Sequence, residues 1–267
     1  MTLFDTHCHL DVEAFNGDRG AAFKRAHAAG VTAFLNPAFD LASSQRAAAL
    51  AGQRPDVWAA VGVHPNDAGE LDDAVLASLE ALLAQPRVVA VGEIGLDYHW
   101  NRHPVDVAKA AFVRQIALAR AHGVPVIIHC RDAMADALDV LAAENSGPGA
   151  VPVLLHAFSG DADQAREAIR RGYWLGIGGP LTYPRAETLR AIAQDAPLER
   201  LVLETDSPYL TPDPWRGRRN EPRHVADVAA RLAVIRGIDL AEVAAATTQN
   251  AHSLFKIESS SAQANTR

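Results

Sequence analysis

Cysteine is almost missing from this chain: Cys8 and Cys130 are the only two in 267 residues. Two cysteines without C-x-x-C spacing exclude a disulfide framework and fit a reducing compartment, with both thiols packing as small apolar side chains. Long hydrophobic runs are also lacking. No stretch approaches the roughly 18 apolar residues that a membrane helix needs. Lysine is scarce, Lys24, Lys109 and Lys256 being the only ones among 25 basic residues, and the formal net charge is −7. That balance excludes the broad positive field with which proteins hold duplex nucleic acid through counterion release, so any phosphate recognition must be local. No glycine-rich phosphate loop follows the first strand-like run, which argues against an open doubly wound dinucleotide-binding sheet. No basic and then apolar leader precedes that run, and a cytoplasmic location is expected.

What is present is apolar and periodic. Hydrophobic residues make up 49% of the chain and charged residues 21%, the balance of a folded globular protein. Short β-branched runs recur at 2–6, 31–36, 57–62, 87–92, 124–128, 152–155, 173–177 and 201–205, and longer Ala/Leu/Arg-rich stretches of helical period alternate with them. Helices are expected near 18–29, 43–52, 72–84, 105–122, 132–143, 161–171, 186–194 and 223–236. Alternation of this kind implies parallel strands joined by helical crossovers, and eight units in about 250 residues is the size of a (β/α)8 TIM barrel, an α/β fold. No linker divides the chain, so one domain over 1–257 is expected. The polar end, Glu258 to Arg267, is expected to fray.

In such a barrel, reactive groups stand at the C-terminal ends of strands. Run one leads into Asp5-Thr6-His7-Cys8-His9, where period-two alternation puts both histidines on one face. Run four ends in Gly92-Glu93, a carboxylate at the close of an apolar strand, where lone burial would be costly. Runs five and six end in His129 and His156, and run eight ends in Glu204-Thr205-Asp206 with both carboxylates on one side. Each alone has an ordinary explanation, a packed histidine or a salt bridge. Four histidines and three carboxylates delivered to one rim instead make a ligand set for Zn²⁺, Mg²⁺ or Mn²⁺. Seven ligands exceed the three or four that one catalytic ion takes, so two divalent ions are expected, with Glu93 as the bridge. No lysine lies at a strand end to serve as a carboxylated bridge.

These segments, Asp5-Thr6-His7-Cys8-His9-Leu10, Gly92-Glu93-Ile94-Gly95-Leu96-Asp97-Tyr98, His129-Cys130-Arg131-Asp132-Ala133, His156-Ala157-Phe158-Ser159-Gly160 and Leu203-Glu204-Thr205-Asp206-Ser207-Pro208-Tyr209-Leu210, occur in one order over nearly the whole chain. Together they resemble the TatD family of metal-dependent deoxyribonucleases. The resemblance implies an amidohydrolase-type barrel acting on DNA ends, commonly as a 3′→5′ exonuclease. By similarity, His7, His9, Glu93 and Asp206 hold one ion and Glu93, His129 and His156 the second, while Glu204 binds an additional ion or steadies the first ligands. Ala157 stands where the family often has Cys, and His252 where Arg is common.

The expected mechanism is attack on a phosphodiester by a hydroxide shared between the two ions, with Asp206 handling the proton. For the phosphate, His64, Arg131 and the basic loop Trp215 to Arg223, with Arg218 and Asn220 in it, are candidate contacts. Asp97, Tyr98, His99 and Trp100 are expected to shape the substrate mouth, and a monomer is expected. Two other functions fit the same ligands: metal-dependent hydrolysis of a different bond, such as an ester on an RNA end (an aminoacyl-tRNA deacylase) or a cyclic amide, and a catalytically silent scaffold that keeps metal for stability.

Overall fold

Apolar residues that alternate with small ones cannot rest in water on either face, and burial organises the eight runs into one sheet. The structure is a computed structural model and describes residues 1–145 and 149–258. The strands are β1 (Leu3–Asp5), β2 (Val31–Pro37), β3 (Val57–Val61), β4 (Val88–Asp97), β5 (Val126–Arg131), β6 (Val153–Leu155), β7 (Trp174–Ile177) and β8 (Leu201–Leu203). Neighbours pair in parallel, in the order of the chain. Helices α1 (Arg19–Ala28), α2 (Leu41–Gln53), α3 (Asp73–Leu83), α4 (Val105–His122), α5 (Met134–Glu144), α6 (Ala162–Arg170) and α7 (Glu187–Asp195) fill the seven crossovers and α8 (Val225–Arg236) follows β8, as the TIM-barrel reading requires.

Local chemistry explains the helix ends. Asp40 accepts from the Ser43 backbone N–H at 2.6 Å and Ser43 returns the bond, a reciprocal cap that starts α2, and Asp161 with Gln164 does the same for α6. Gly123 closes α4 in the left-handed region, with φ +63°.

Two features depart from the expectation. β4 continues past Glu93 to Asp97, so that Gly95 pairs with His129 and Asp97 with Arg131. Gly95 allows it: its φ is +138°, and a Cβ there would lie 2.1 Å from the His129 carbonyl oxygen. The second departure is a ninth helix, α9 (Leu240–Phe255). Its Ala251, Leu254 and Phe255 pack onto Phe4, Leu35, Ile127, Leu154 and Val202, the inward residues of the strands. Alternation ties this layer to the rim, since Ile127 shares its face with His129 and Leu154 with His156. The site therefore stands on a solid apolar floor. Of the expected fraying tail only Glu258 lies among the described residues; 259–267 lie outside them. No helix among the described residues is long and apolar enough to cross a membrane.

β8 and β1 meet through the residues that follow them. Thr6 donates its backbone N–H to Leu203 (3.0 Å), Asp206 to His7 (2.8 Å) and His9 to Ser207 (2.8 Å), and Cys8 and Ser207 form a parallel bridge. The buried Asp5 carboxylate reinforces the join by accepting from the Thr205 N–H at 2.9 Å and its hydroxyl at 2.6 Å. Burial pushes the Asp5 carboxyl up to about 8 against these donors.

Candidate metal centre

Glu93 is the hub. Its side chain is 6% exposed, and each of its oxygens faces a different set of imidazoles. Oε2 lies 3.3 Å from His7 Nε2 and 3.7 Å from His9 Nε2. Oε1 lies 2.9 Å from His156 Nε2 and 3.0 Å from His129 Nδ1. Asp206 completes the first set, with Oδ1 at 3.4 Å from His9 Nε2 and 3.7 Å from His7 Nε2. Asp206 holds this place in the left-handed region, with φ +55°, a costly conformation for a residue with a side chain and one often retained at active sites.

Neighbouring groups aim the rings. His9 Nδ1 lies 3.2 Å from the Pro37 carbonyl, so Nδ1 carries the proton and the Nε2 lone pair faces Glu93 and Asp206. His129 Nε2 lies 2.8 Å from Asp97 Oδ2, which turns its Nδ1 toward Glu93. His7 and His156 stack at 3.8 Å between ring centres. Beneath His156, Glu204 Oε1 lies 3.6 Å from Nδ1 and accepts from the Ala157 N–H at 2.5 Å. Gly176 makes room for it, since a Cβ there would sit 2.3 Å from Glu204 Oε2.

The electrostatics are those of a cation site. Burial opposes charge on Glu93, yet His156, His7 and His129 outweigh it and hold its carboxyl well below the usual range. Asp206 is likewise lowered, burial being outweighed by His9, His7 and His156. His7, fully buried and stacked on His156, is pushed down by desolvation. His156 is held well above its usual value because Glu93 and Glu204 outweigh its burial. Neither ring nitrogen of His7 has a hydrogen-bond partner, nor does His156 Nδ1. Buried imidazole nitrogens without partners, aimed at ionised carboxylates, are the donor set a divalent cation satisfies. Ligand atoms of His7, His9 and Glu93, of His7, His156 and Asp206, and of His64, Glu93 and His129 each lie within 4.8 Å of one another. The residues present fit a bound divalent metal.

His64 joins the third group by distance but not by chemistry. Its Nδ1 accepts from the Asn66 N–H at 3.1 Å, so Nε2 carries the proton and points at Glu93 Oε1, 3.7 Å away. Burial lowers its pKa to about 3, leaving a neutral donor beside the centre.

Two expected site residues, Asn220 and Arg218, move in role, and a third, Glu204, takes the second of the two places expected of it. Glu204 is fully buried behind His156, inside the barrel rather than on the cavity wall, where it can steady that imidazole. Asn220 is fully buried, and its amide donates to the Thr205 and Tyr209 carbonyls (2.8 and 2.6 Å) while accepting from the Glu221 N–H. It is spent on holding the loop after β8 and has nothing left for a substrate. Arg218 lies over Trp215 at 5.5 Å and is absent from the cavity wall. Its neighbours are committed too: Arg219 pairs with Asp18 and Glu221, Arg216 covers Tyr183, and Arg223 covers Trp215. Arg131, by contrast, is exposed and lines the cavity, and Asp132 pairs with His99 instead.

The cavity above the centre has a volume of about 1140 Å³ and is lined by His9, Glu93, His129, His156 and Asp206 at its base. Asp97 was expected in a loop; its role as the orienting partner of His129 came from the unforeseen extension of β4.

Residues 4–256 match the family model of TatD-related DNases. The chain belongs to the TatD family. A TatD relative from Bacillus subtilis, the uncharacterized metal-dependent hydrolase YabD, is 41% identical over 255 residues, covering 96% of this chain and 99% of its own. The TatD of Cronobacter turicensis, named a 3′-5′ ssDNA/RNA exonuclease, is 41% identical over 260 residues, covering 95% of this chain and 97% of its own. The crystal structure of the Escherichia coli TatD homologue YjjV superposes with a TM-score of 0.88 at 34% identity, covering 96% of this chain and 98% of that one. The protein is a metal-dependent hydrolase with a TatD-type TIM barrel.

Proposed function

We propose that this TatD hydrolase is a phosphodiesterase that removes nucleotides from the 3′ end of DNA, using two divalent ions. The observation that carries the reading is the division of Glu93, one oxygen toward His7 and His9, the other toward His129 and His156. On this reading His7, His9, Glu93 and Asp206 hold one ion and Glu93, His129 and His156 the other. When bound, such ions lower the pKa of water and offset charge on the phosphate. The chain's own groups do the rest. Asp206, at the cavity base with its side chain 14% exposed, takes the proton of the attacking water and returns it to the leaving oxygen. His64 donates its Nε2–H to a non-bridging phosphate oxygen, and the Arg131 guanidinium pairs with the phosphate from the rim. Asp97 and Glu204 keep His129 and His156 oriented. The name borne by the Cronobacter relative supports a nucleic-acid end as substrate.

The test is incubation of end-labelled single-stranded DNA with and without chelator, comparing free with blocked 3′ ends. Shortening from the free 3′ end only, abolished by chelator, is expected. Cleavage indifferent to the 3′ block would replace the exonuclease by an endonuclease, and no cleavage with metal present would refute the reading.

A further inference from the structure

Aromatic side chains are normally the first to be buried, because each hides a large apolar area. Among the described residues only two remain largely in solvent, Trp100 at 56% and Tyr209 at 58% exposure. Both line the cavity above the metal centre. Trp100 follows β4 and Tyr209 follows β8, and in a barrel of eight strands in sequential order these strands stand on opposite walls. The two rings therefore flank the centre from either side.

Neither ring is there by loop drift. The Trp100 backbone N–H donates to Asp97 Oδ1 at 2.9 Å, and Asp97 in turn holds His129. The Tyr209 N–H donates to the Asp206 carbonyl at 2.8 Å, and its own carbonyl takes the Asn220 amide. Each exposed ring is thus tied through its backbone to a residue of the centre. Tyr209 lies edge-on to His9, 6.0 Å away, and the Arg131 guanidinium lies 5.7 Å from the Trp100 ring centre. An aromatic face next to a cation at the rim suits a base next to its phosphate.

Resting on the phosphodiesterase reading above, we infer that Trp100 and Tyr209 are paired stacking platforms that take the two bases flanking the scissile phosphate. The site then requires two neighbouring bases with free faces on either side of the phosphate. Bases inside a duplex are stacked on their neighbours and paired, so they cannot present those faces. The platforms supply a physical cause for a preference for single strands, the substrate in the Cronobacter relative's name, and they tolerate any base because every base has a π-face.

The experiment uses the full chain and its Trp100→Ala, Tyr209→Ala, Trp100→Phe and Tyr209→Phe variants. Substrates are a single-stranded hexathymidylate, the same strand with an abasic residue at the terminal or the penultimate position, and methyl p-nitrophenyl phosphate, which has no base. Each alanine variant is expected to lower the ratio of kcat/KM on the strand to that on the small diester by roughly tenfold or more, through KM, with each phenylalanine variant near wild type. An abasic residue at the matching position lowers the wild type by a similar factor and the alanine variant no further. Anisotropy of a labelled hexathymidylate in chelator, where nothing is cleaved, is expected to show weaker binding by both alanine variants. Ratios and affinities within twofold of wild type, or equal losses on strand and small diester, overturn the platforms while leaving the phosphodiesterase reading in place. A wild type that cleaves the small diester but no strand refutes DNA ends as the substrate, and the platforms with them, and one that cleaves neither with metal present refutes the phosphodiesterase reading itself.

Discussion

Replacing Glu204 by glutamine separates a supporting carboxylate from a metal ligand. The Gln oxygen still accepts from the Ala157 N–H, now at 2.5 Å, and the side chain still fills the space left by Gly176. What is lost is the negative charge 3.6 Å from His156 Nδ1. Partners of this kind are worth roughly ten- to hundredfold in metal affinity, or about 1.4–2.7 kcal/mol. In chelator the same charge helps to hold a proton on the buried His156, and its loss leaves that imidazole with Glu93 alone. The metal-free variant should therefore be less stable than wild type. Affinity is measured by competition with a chromophoric chelator, stoichiometry by elemental analysis, and stability by urea unfolding with and without metal. Loss of one ion with the remaining sites unchanged would make Glu204 a direct ligand and refute the reasoning, as would unchanged affinity.

Asp206→Asn should reduce turnover by roughly 10²–10⁴-fold with the fold intact, read by steady-state kinetics and circular dichroism. His64→Ala should lower kcat by roughly 10²-fold while metal content by elemental analysis stays at the wild-type level, because His64 presents an N–H rather than a lone pair. Asn220→Ala removes three hydrogen bonds and should cost roughly 2–4 kcal/mol in urea unfolding, whereas Arg218→Ala should leave KM on single strands within about twofold. In chelator, His64 makes stability depend on pH: folding holds it neutral to about 3, so the unfolded chain binds the extra proton and stability falls as pH drops from 6.5 toward 3. His64→Gln should flatten that slope by up to about 1.4 kcal/mol per pH unit in unfolding titrations.

The strands were legible because a buried parallel strand is a short apolar run, and five of the eight runs end in ionisable residues that have no business in a core. His129 and His156 could be paired from sequence because both close such runs. β4 was read too short because Gly92 and Gly95 look like a turn, and only the close pass of His129 shows why glycine extends the strand there. α9 escaped because its inward face, Ala251, Leu254 and Phe255, plugs the floor of the barrel and follows no strand. The arginine loop misled because charge counts along a chain do not reveal partners: Asp18, which occupies Arg219, is some two hundred positions away. Asn220 was placed in the site for the same reason, since its hydrogen bonds go to backbone groups that no side-chain pattern displays.

The barrel is sewn shut at one place only, where the segments after the first and last strands exchange backbone hydrogen bonds, and that seam supplies His7 and His9 from one side and Asp206 from the other. A chain still being synthesised, or one whose last quarter has come loose, lacks half of this grip. An ion gripped by all three would act as the keystone of the arch, adding its binding free energy to the closure of the barrel.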